Sequence, residues 1–151
     1  MTDSSITLVV QRTIAATPEW LFAAWTEPEQ LRRWWGPDGA TCIDPEVDLR
    51  EGGRYRIGNR LADGSVVWIV GEFEAIERPH RLIYSWRLEG GSSAIERVTV
   101  RFQERGSATE VIITHARIAS TELRDQHRHG WAGCLAGLSR YTAQAHQEFP
   151  E

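Results

Sequence analysis

Hydrophobic and polar positions along the chain change period three times. Residues 5–15 (SITLVVQRTIA) are rich in β-branched side chains and predict a first strand. At Thr17-Pro18-Glu19 the pattern turns helical. Thr17 suits an N-cap and Pro18 the first helical position, where its missing N–H costs nothing. Leu21, Phe22 and Trp25 follow at helical spacing, and this short helix is expected to end near Thr26. Pro28 opens a second short helix with Leu31, Trp34 and Trp35 on one side, and Gly36-Pro37 stops it.

From residue 40 to residue 116 the period is two. Val47 and Leu49 alternate with polar neighbours, Glu51-Gly52-Gly53 predicts a tight turn, and Tyr55 and Ile57 continue on the next strand. Ala62-Asp63-Gly64 predicts another hairpin turn. The run from Val66 to Ile76 is long for one strand, and Gly71 within it predicts a bulge or bend. After Glu77-Arg78-Pro79-His80, the alternation resumes through Leu82, Tyr84, Trp86 and Leu88. It resumes again after Gly90-Gly91 through Val98, Val100 and Phe102. Past Arg105-Gly106-Ser107 it runs through Val111, Ile113 and His115. Six strands joined by short turns are expected to be antiparallel neighbours.

The final segment, from about Ser120 to Gln147, predicts one long helix capped by Ser120 or Thr121, with Glu122 in its first turn. Leu123, His127, Trp131, Cys134, Leu135, Leu138 and Tyr141 share one arc of it. The sheet is the only partner for that arc. The order is therefore β-α-α-β6-α, an α+β arrangement expected to form one domain over residues 1–151.

A bulged sheet of this size twists and curls, and one helix laid across it closes the concave face incompletely. Gly130, Gly133 and Gly137 lie inside the helix, each costing roughly 1 kcal/mol against alanine. The chain also holds 7 Trp, several at inward-facing positions. Rigid rings leave irregular gaps and make good pocket walls, which predicts a hollow between sheet and helix. The competing possibility is that the rings are ordinary core and that the glycines merely allow close packing.

Composition trims the options. Hydrophobic residues at 41% and charged residues at 25% are those of a globular chain. A net charge of −4 argues against nucleic acid as a partner. All 17 basic residues are Arg, spread without a cluster. Cys42 and Cys134 fit no metal or redox spacing. Neither a signal peptide nor a membrane span is visible, so a cytoplasmic location with free thiols and no membrane insertion is expected.

Several segments together resemble one family. They are Ala23–Pro37 (AAWTEPEQLRRWWGP), Asp48–Tyr55 (DLREGGRY), Gly71–Ile76 with Pro79-His80-Arg81-Leu82, Val98–Phe102, Thr114-His115 and His129-Gly130-Trp131. They are similar to the bacterial branch of the family named for the activator of the heat-shock protein 90 ATPase, within the START-like (SRPBCC) superfamily. The resemblance runs from about residue 7 to residue 145. It implies the helix-grip fold, also called START-like or Bet v 1-like, and strengthens the expectation of a cavity. It does not imply one activity, since superfamily relatives include lipid carriers, hormone receptors, polyketide cyclases and oxygenase subunits. The eukaryotic co-chaperones that name the family carry an extra N-terminal domain, to which nothing in this sequence corresponds.

The expected cavity wall draws Trp25 and Trp35 from the short helices and Tyr55, Ile57, Phe73, Tyr84, Trp86, Phe102 and His115 from the strands. His127, Trp131, Cys134, Leu135 and Leu138 complete it from the long helix. The expected ligand is a small hydrophobic or aromatic compound, with no cofactor and no metal. His115 is either a cavity-facing polar group or a buried histidine bonded to backbone, the second being preferred. For His127 the two possibilities stand level. His127 and His129 point about 200° apart on a helix and cannot share an ion, and Asp125 with His129 predicts a surface pair. Glu72 and Glu74 share the solvent face, and Asp48 and Arg50 are expected to serve the turn at Gly52-Gly53. Trp34-Trp35-Gly36-Pro37 is either a lid or a plug at the mouth of the sheet. An enzyme of the cyclase or dehydratase kind would use His115, His127 and Tyr84. A protein-interaction role would need Trp20 or Trp68 on the outside, where either could also serve a homodimer contact.

Overall fold

A computed structural model describes residues 6–36, 40–90 and 95–148. Strand β1 is Ile6–Ile14, followed by helices α1 (Pro18–Thr26) and α2 (Pro28–Trp34). Strands β2 (Thr41–Val47), β3 (Arg54–Arg60), β4 (Val66–Glu77), β5 (Arg81–Leu88), β6 (Glu96–Arg105) and β7 (Ala108–Ile118) come next. Helix α3 (Thr121–Glu148) ends the chain. The two short helices carry the chain from one edge of the sheet to the other. From there β2 to β7 meander back, giving the order β1-β7-β6-β5-β4-β3-β2.

The local signals act as their chemistry requires. Thr17 accepts a hydrogen bond from the Trp20 N–H, and Pro18 opens α1. Ser120 accepts from the Leu123 N–H at the start of α3. Gly52, with φ of 82°, makes the turn after β2. The buried face of the sheet carries Val98, Val100, Val111 and Ile113, and α3 lays Leu135 and Leu138 against the same core.

Register shifts in β1/β7, β2/β3 and β4/β5 help the sheet curl. The shift at the end of β7 brackets Arg117, whose φ is +66°. Alternation puts His115 inward, and the bulge lets Ile118 turn inward as well. In β4 the irregularity falls between Phe73 and Ala75, beyond the glycine expected to cause it. Gly71 instead serves close packing, because a Cβ there would stand 2.0 Å from the Ser85 carbonyl oxygen and 2.7 Å from the Tyr55 ring. Gly71→Ala is expected to force β4 off β5 and cost about 3 kcal/mol or more, within the range of severe single substitutions. Urea denaturation measures that loss. Gly137 has a similar duty: a Cβ would lie 2.7 Å from the Trp34 carbonyl oxygen, so glycine lets α3 touch the end of α2.

Candidate functional site

The interior between sheet and helix is largely filled by rings. Trp25 sits 5.0 Å from Trp34, 5.9 Å from Phe102 and 6.2 Å from Trp131, centroid to centroid. Trp35 stands edge-on to both Trp25 and Trp131. The space left among Trp25, Trp35, Tyr55, Ile57, Phe73, Tyr84 and Trp86 is only about 20 Å³. That is room for about one water molecule.

The usable space lies to one side. An open recess of about 200 Å³ runs between α3 and strands β3 to β5. Trp35, Trp86 and Trp131 form its walls, Ile69 and Cys134 line it, and Gly130 keeps the helix side low. Leu61 and Leu88, 37% and 38% exposed, form an apolar rim. Three polar side chains border it: Asn59, Gln126 and His127. Of the expected wall, Phe102, His115, Leu135 and Leu138 border neither space. The first and last two pack in the core, and His115 stands behind Trp86 and Trp131.

A buried polar cluster backs the recess. Glu96 begins β6 and faces inward in phase with Val98, Val100 and Phe102. Its Oε1 lies 2.6 Å from His115 Nε2 and 2.9 Å from His127 Nε2. The two imidazoles stack 4.3 Å apart, with Trp86 edge-on to both. Trp131 donates its indole N–H to His115 Nδ1 at 2.9 Å. An indole N–H can only donate, so His115 Nδ1 must be the acceptor and its proton sits on Nε2, facing Glu96. His115 is thus neutral and bonded to two side chains, whereas backbone bonding was the preferred expectation. Burial lowers its pKa, outweighing the hydrogen bond to Glu96. Burial alone would raise the Glu96 pKa, but the hydrogen bonds from His115 and His127 override it and hold the carboxyl at about 2.

Glu96, His115 and His127 offer ligand atoms within 4.8 Å of one another, the spacing of a possible cation site. The Trp131 indole argues for hydrogen bonding instead. Ligation through His115 Nε2 would move the ring proton to Nδ1, head-on against the indole N–H.

The remaining candidates fall elsewhere. Burial pushes Cys42 and Cys134 up to about 11 and about 12, so neither is a nucleophile at neutral pH. The Tyr84 hydroxyl accepts from the Trp25 indole at 3.3 Å, and burial raises its pKa. Trp34 and Trp35 are both buried, donating to the Ala24 carbonyl and to Asn59 Oδ1. Pro37 lies outside the described residues. Glu72 and Glu74 face solvent and pair with Arg54 and Arg97. Asp48 and Arg50 pair at 2.8 Å beside their turn, and Asp125 and His129 are exposed.

Sequence reasoning passed over Glu96 and Asn59. Glu96 shares the parity of the inward-facing residues of its strand, as Asn59 does with Tyr55 and Ile57. That parity was the available signal.

The family model described as activator of Hsp90 ATPase homolog 1-like protein matches residues 15–143. The chain belongs to this family. No curated protein matches it. Among solved structures, a family protein from Silicibacter pomeroyi superposes with a TM-score of 0.83 at 23% identity, over 93% of this chain and 100% of that one. A Rhodobacter sphaeroides protein gives 0.78 at 26% identity, over 91% and 93% of the two chains. An Hsp90 activator from Plasmodium falciparum gives 0.68 at 27% identity, over 88% and 93%. The activator-homolog family match spans the recess and the whole Glu96–His115–His127 cluster. Its START-like helix-grip fold is a ligand-binding fold, and among the described residues no helix is long and apolar enough to cross a membrane.

Proposed function

We propose that the protein binds a small, flat, mostly apolar molecule, about the size of one substituted aromatic ring, in the recess beside α3. The supporting observation is the recess itself: about 200 Å³ walled by Trp35, Trp86 and Trp131, open at one end past Leu61 and Leu88. An apolar cavity of about 150 Å³ accepts benzene, so this volume suits one ring with a short substituent. A lipid or a fused system of three or more rings would exceed it.

Titration with toluene, phenol, benzoate and indole is expected to give a saturable change in tryptophan fluorescence for at least one of them. Gly130→Leu would fill the recess from the helix side while improving helix propensity. It is expected to weaken that binding at least about tenfold, roughly 1.4 kcal/mol, with the circular dichroism unchanged. Equal binding by the variant would move the site elsewhere.

A second possibility, acid–base catalysis on the bound molecule, draws support from His127, which borders the recess while Glu96 holds its ring. Tyr84 adds nothing to it, since its hydroxyl is occupied with Trp25. A co-chaperone role has less support. Trp20 is half-buried against Tyr141 and His146, and the Arg56 guanidinium covers Trp68 at 3.7 Å. Neither leaves a bare apolar patch.

A further inference from the structure

We propose that the recess is built for a weak acid, an aromatic carboxylate, whose carboxyl group is held between His127 Nδ1 and the Asn59 side-chain amide. This deepens the proposed function and rests on the recess being a ligand site.

Asn59 is 4% exposed and borders the recess from β3. Trp35 donates its indole N–H to Asn59 Oδ1 at 3.1 Å, which fixes the amide orientation. The NH₂ group is left as a donor, and among the described residues it has no hydrogen-bond partner. On the helix side, His127 spends Nε2 on Glu96, and its Nδ1 has no partner among the described residues. The buried Asn59 and His127 therefore each bring an uncommitted polar group to the same small space, where Gln126 is the third polar side chain.

The cluster behind His127 decides what Nδ1 can do. The titratable neighbours are Glu96 on β6 and His115 on β7, while β5 contributes Trp86 and α3 itself Trp131. A proton entering this group cannot settle on His115, because Trp131 occupies Nδ1 and the proton already present occupies Nε2. It can settle on His127 Nδ1, where Glu96 supplies the balancing negative charge. Of the side chains lining the recess, His127 is the one able to carry positive charge. In the proposed arrangement one carboxyl oxygen accepts from Asn59, and the other shares a proton with Nδ1. If the ligand arrives as the neutral acid, its O–H bond breaks, the electron pair stays on oxygen and the proton goes to Nδ1. If it arrives as the anion, the proton on Nδ1 comes from solvent. No other bond changes.

Isothermal titration of the whole chain with benzoate, benzamide and toluene tests this. Benzoate is expected to bind at least about tenfold more tightly than either neutral isostere, as a charge-assisted hydrogen bond exceeds a neutral one. His127→Gln keeps a hydrogen-bonding group but cannot hold a positive charge. It is expected to erase the benzoate preference while leaving toluene within about twofold of wild type. Asn59→Asp keeps the acceptor for Trp35 and turns the donor into an anion. It is expected to abolish benzoate binding, so either variant, provided it folds, is enough to test the acid assignment. Benzamide or toluene binding as tightly as benzoate overturns the acid assignment and leaves the recess a ligand site. Silence from all three compounds, and from phenol and indole, removes the recess as a site altogether.

Discussion

Trp25→Ala is expected to destabilise the protein by about 4 kcal/mol, in the usual range for deleting a buried tryptophan. In a domain of this size that lowers the melting temperature by roughly 10 °C. Trp25 is 5% exposed and touches Trp34, Trp35, Phe102 and Trp131, so its removal strips contacts from rings on α2, β6 and α3 together. The ring's packing dominates this figure. Its hydrogen bond to the Tyr84 hydroxyl is 3.3 Å long, and a neutral bond contributes about 1 kcal/mol. Trp25→Phe should therefore recover more than half the loss although it removes the same donor. The void would also join the small gap already present among Tyr55, Phe73 and Tyr84. Indole added to the alanine variant is expected to raise its melting temperature by more than it raises that of the wild type. A loss below about 1 kcal/mol in urea denaturation would mean that neighbouring rings collapse into the space.

Much of the fold was legible because its signals are local. Thr17-Pro18 and Pro28 mark helix starts with chemistry that acts within one turn. The alternation through Leu82 and Tyr84, or through Val98, Val100 and Phe102, sorts each strand's faces without knowledge of its neighbours. The six hairpin-linked strands then had few other ways to pair. The filling of the interior was not legible. The tryptophan content suggested walls around a hollow, but whether rings line a space or close it depends on how residues far apart in sequence orient together. Trp25 and Trp131 stack at an interplanar angle of 21°, and no local pattern contains that fact. The glycines of α3 divided for the same reason. Gly137 admits the Trp34 carbonyl, whereas Gly130 lines the recess. Glu96 was the hardest case. Its parity pointed inward, but a carboxylate is ordinarily solvated. What justifies its burial are two histidines 19 and 31 residues further along the chain.

Acid is expected to unfold the protein in two stages traceable to that cluster. The ordinary histidine value is 6.5, and His115 in the folded protein lies below it. As pH falls through 6.5, the unfolded chain binds a proton at this residue that the native state refuses. Stability is thus complete above 6.5 and declines beneath it, by about 1.4 kcal/mol per pH unit at most, until the lower folded value is passed. Glu96 acts next and in the same direction. Its folded carboxyl titrates at about 2 against an ordinary 4.5, so between those values the unfolded chain is protonated and the native chain is not. The stability Glu96 contributes is fully present above 4.5 and is lost as pH falls toward 2, a total of roughly 3 kcal/mol. Denaturant titrations from pH 8 to pH 3 should therefore show a plateau, a decline starting near 6.5 and a further decline beneath 4.5. Two variants separate the contributions. Glu96→Gln keeps an oxygen to accept from both rings, so it should lose the decline beneath 4.5 that Glu96 causes while retaining the one that starts near 6.5. Glu96→Leu leaves the His115 and His127 N–H groups without an acceptor, and at pH 7 it should cost about 3 kcal/mol. A wild-type stability that stays flat from pH 7 to pH 4 would mean that His115 accepts a second proton in place, breaking its bond with Trp131.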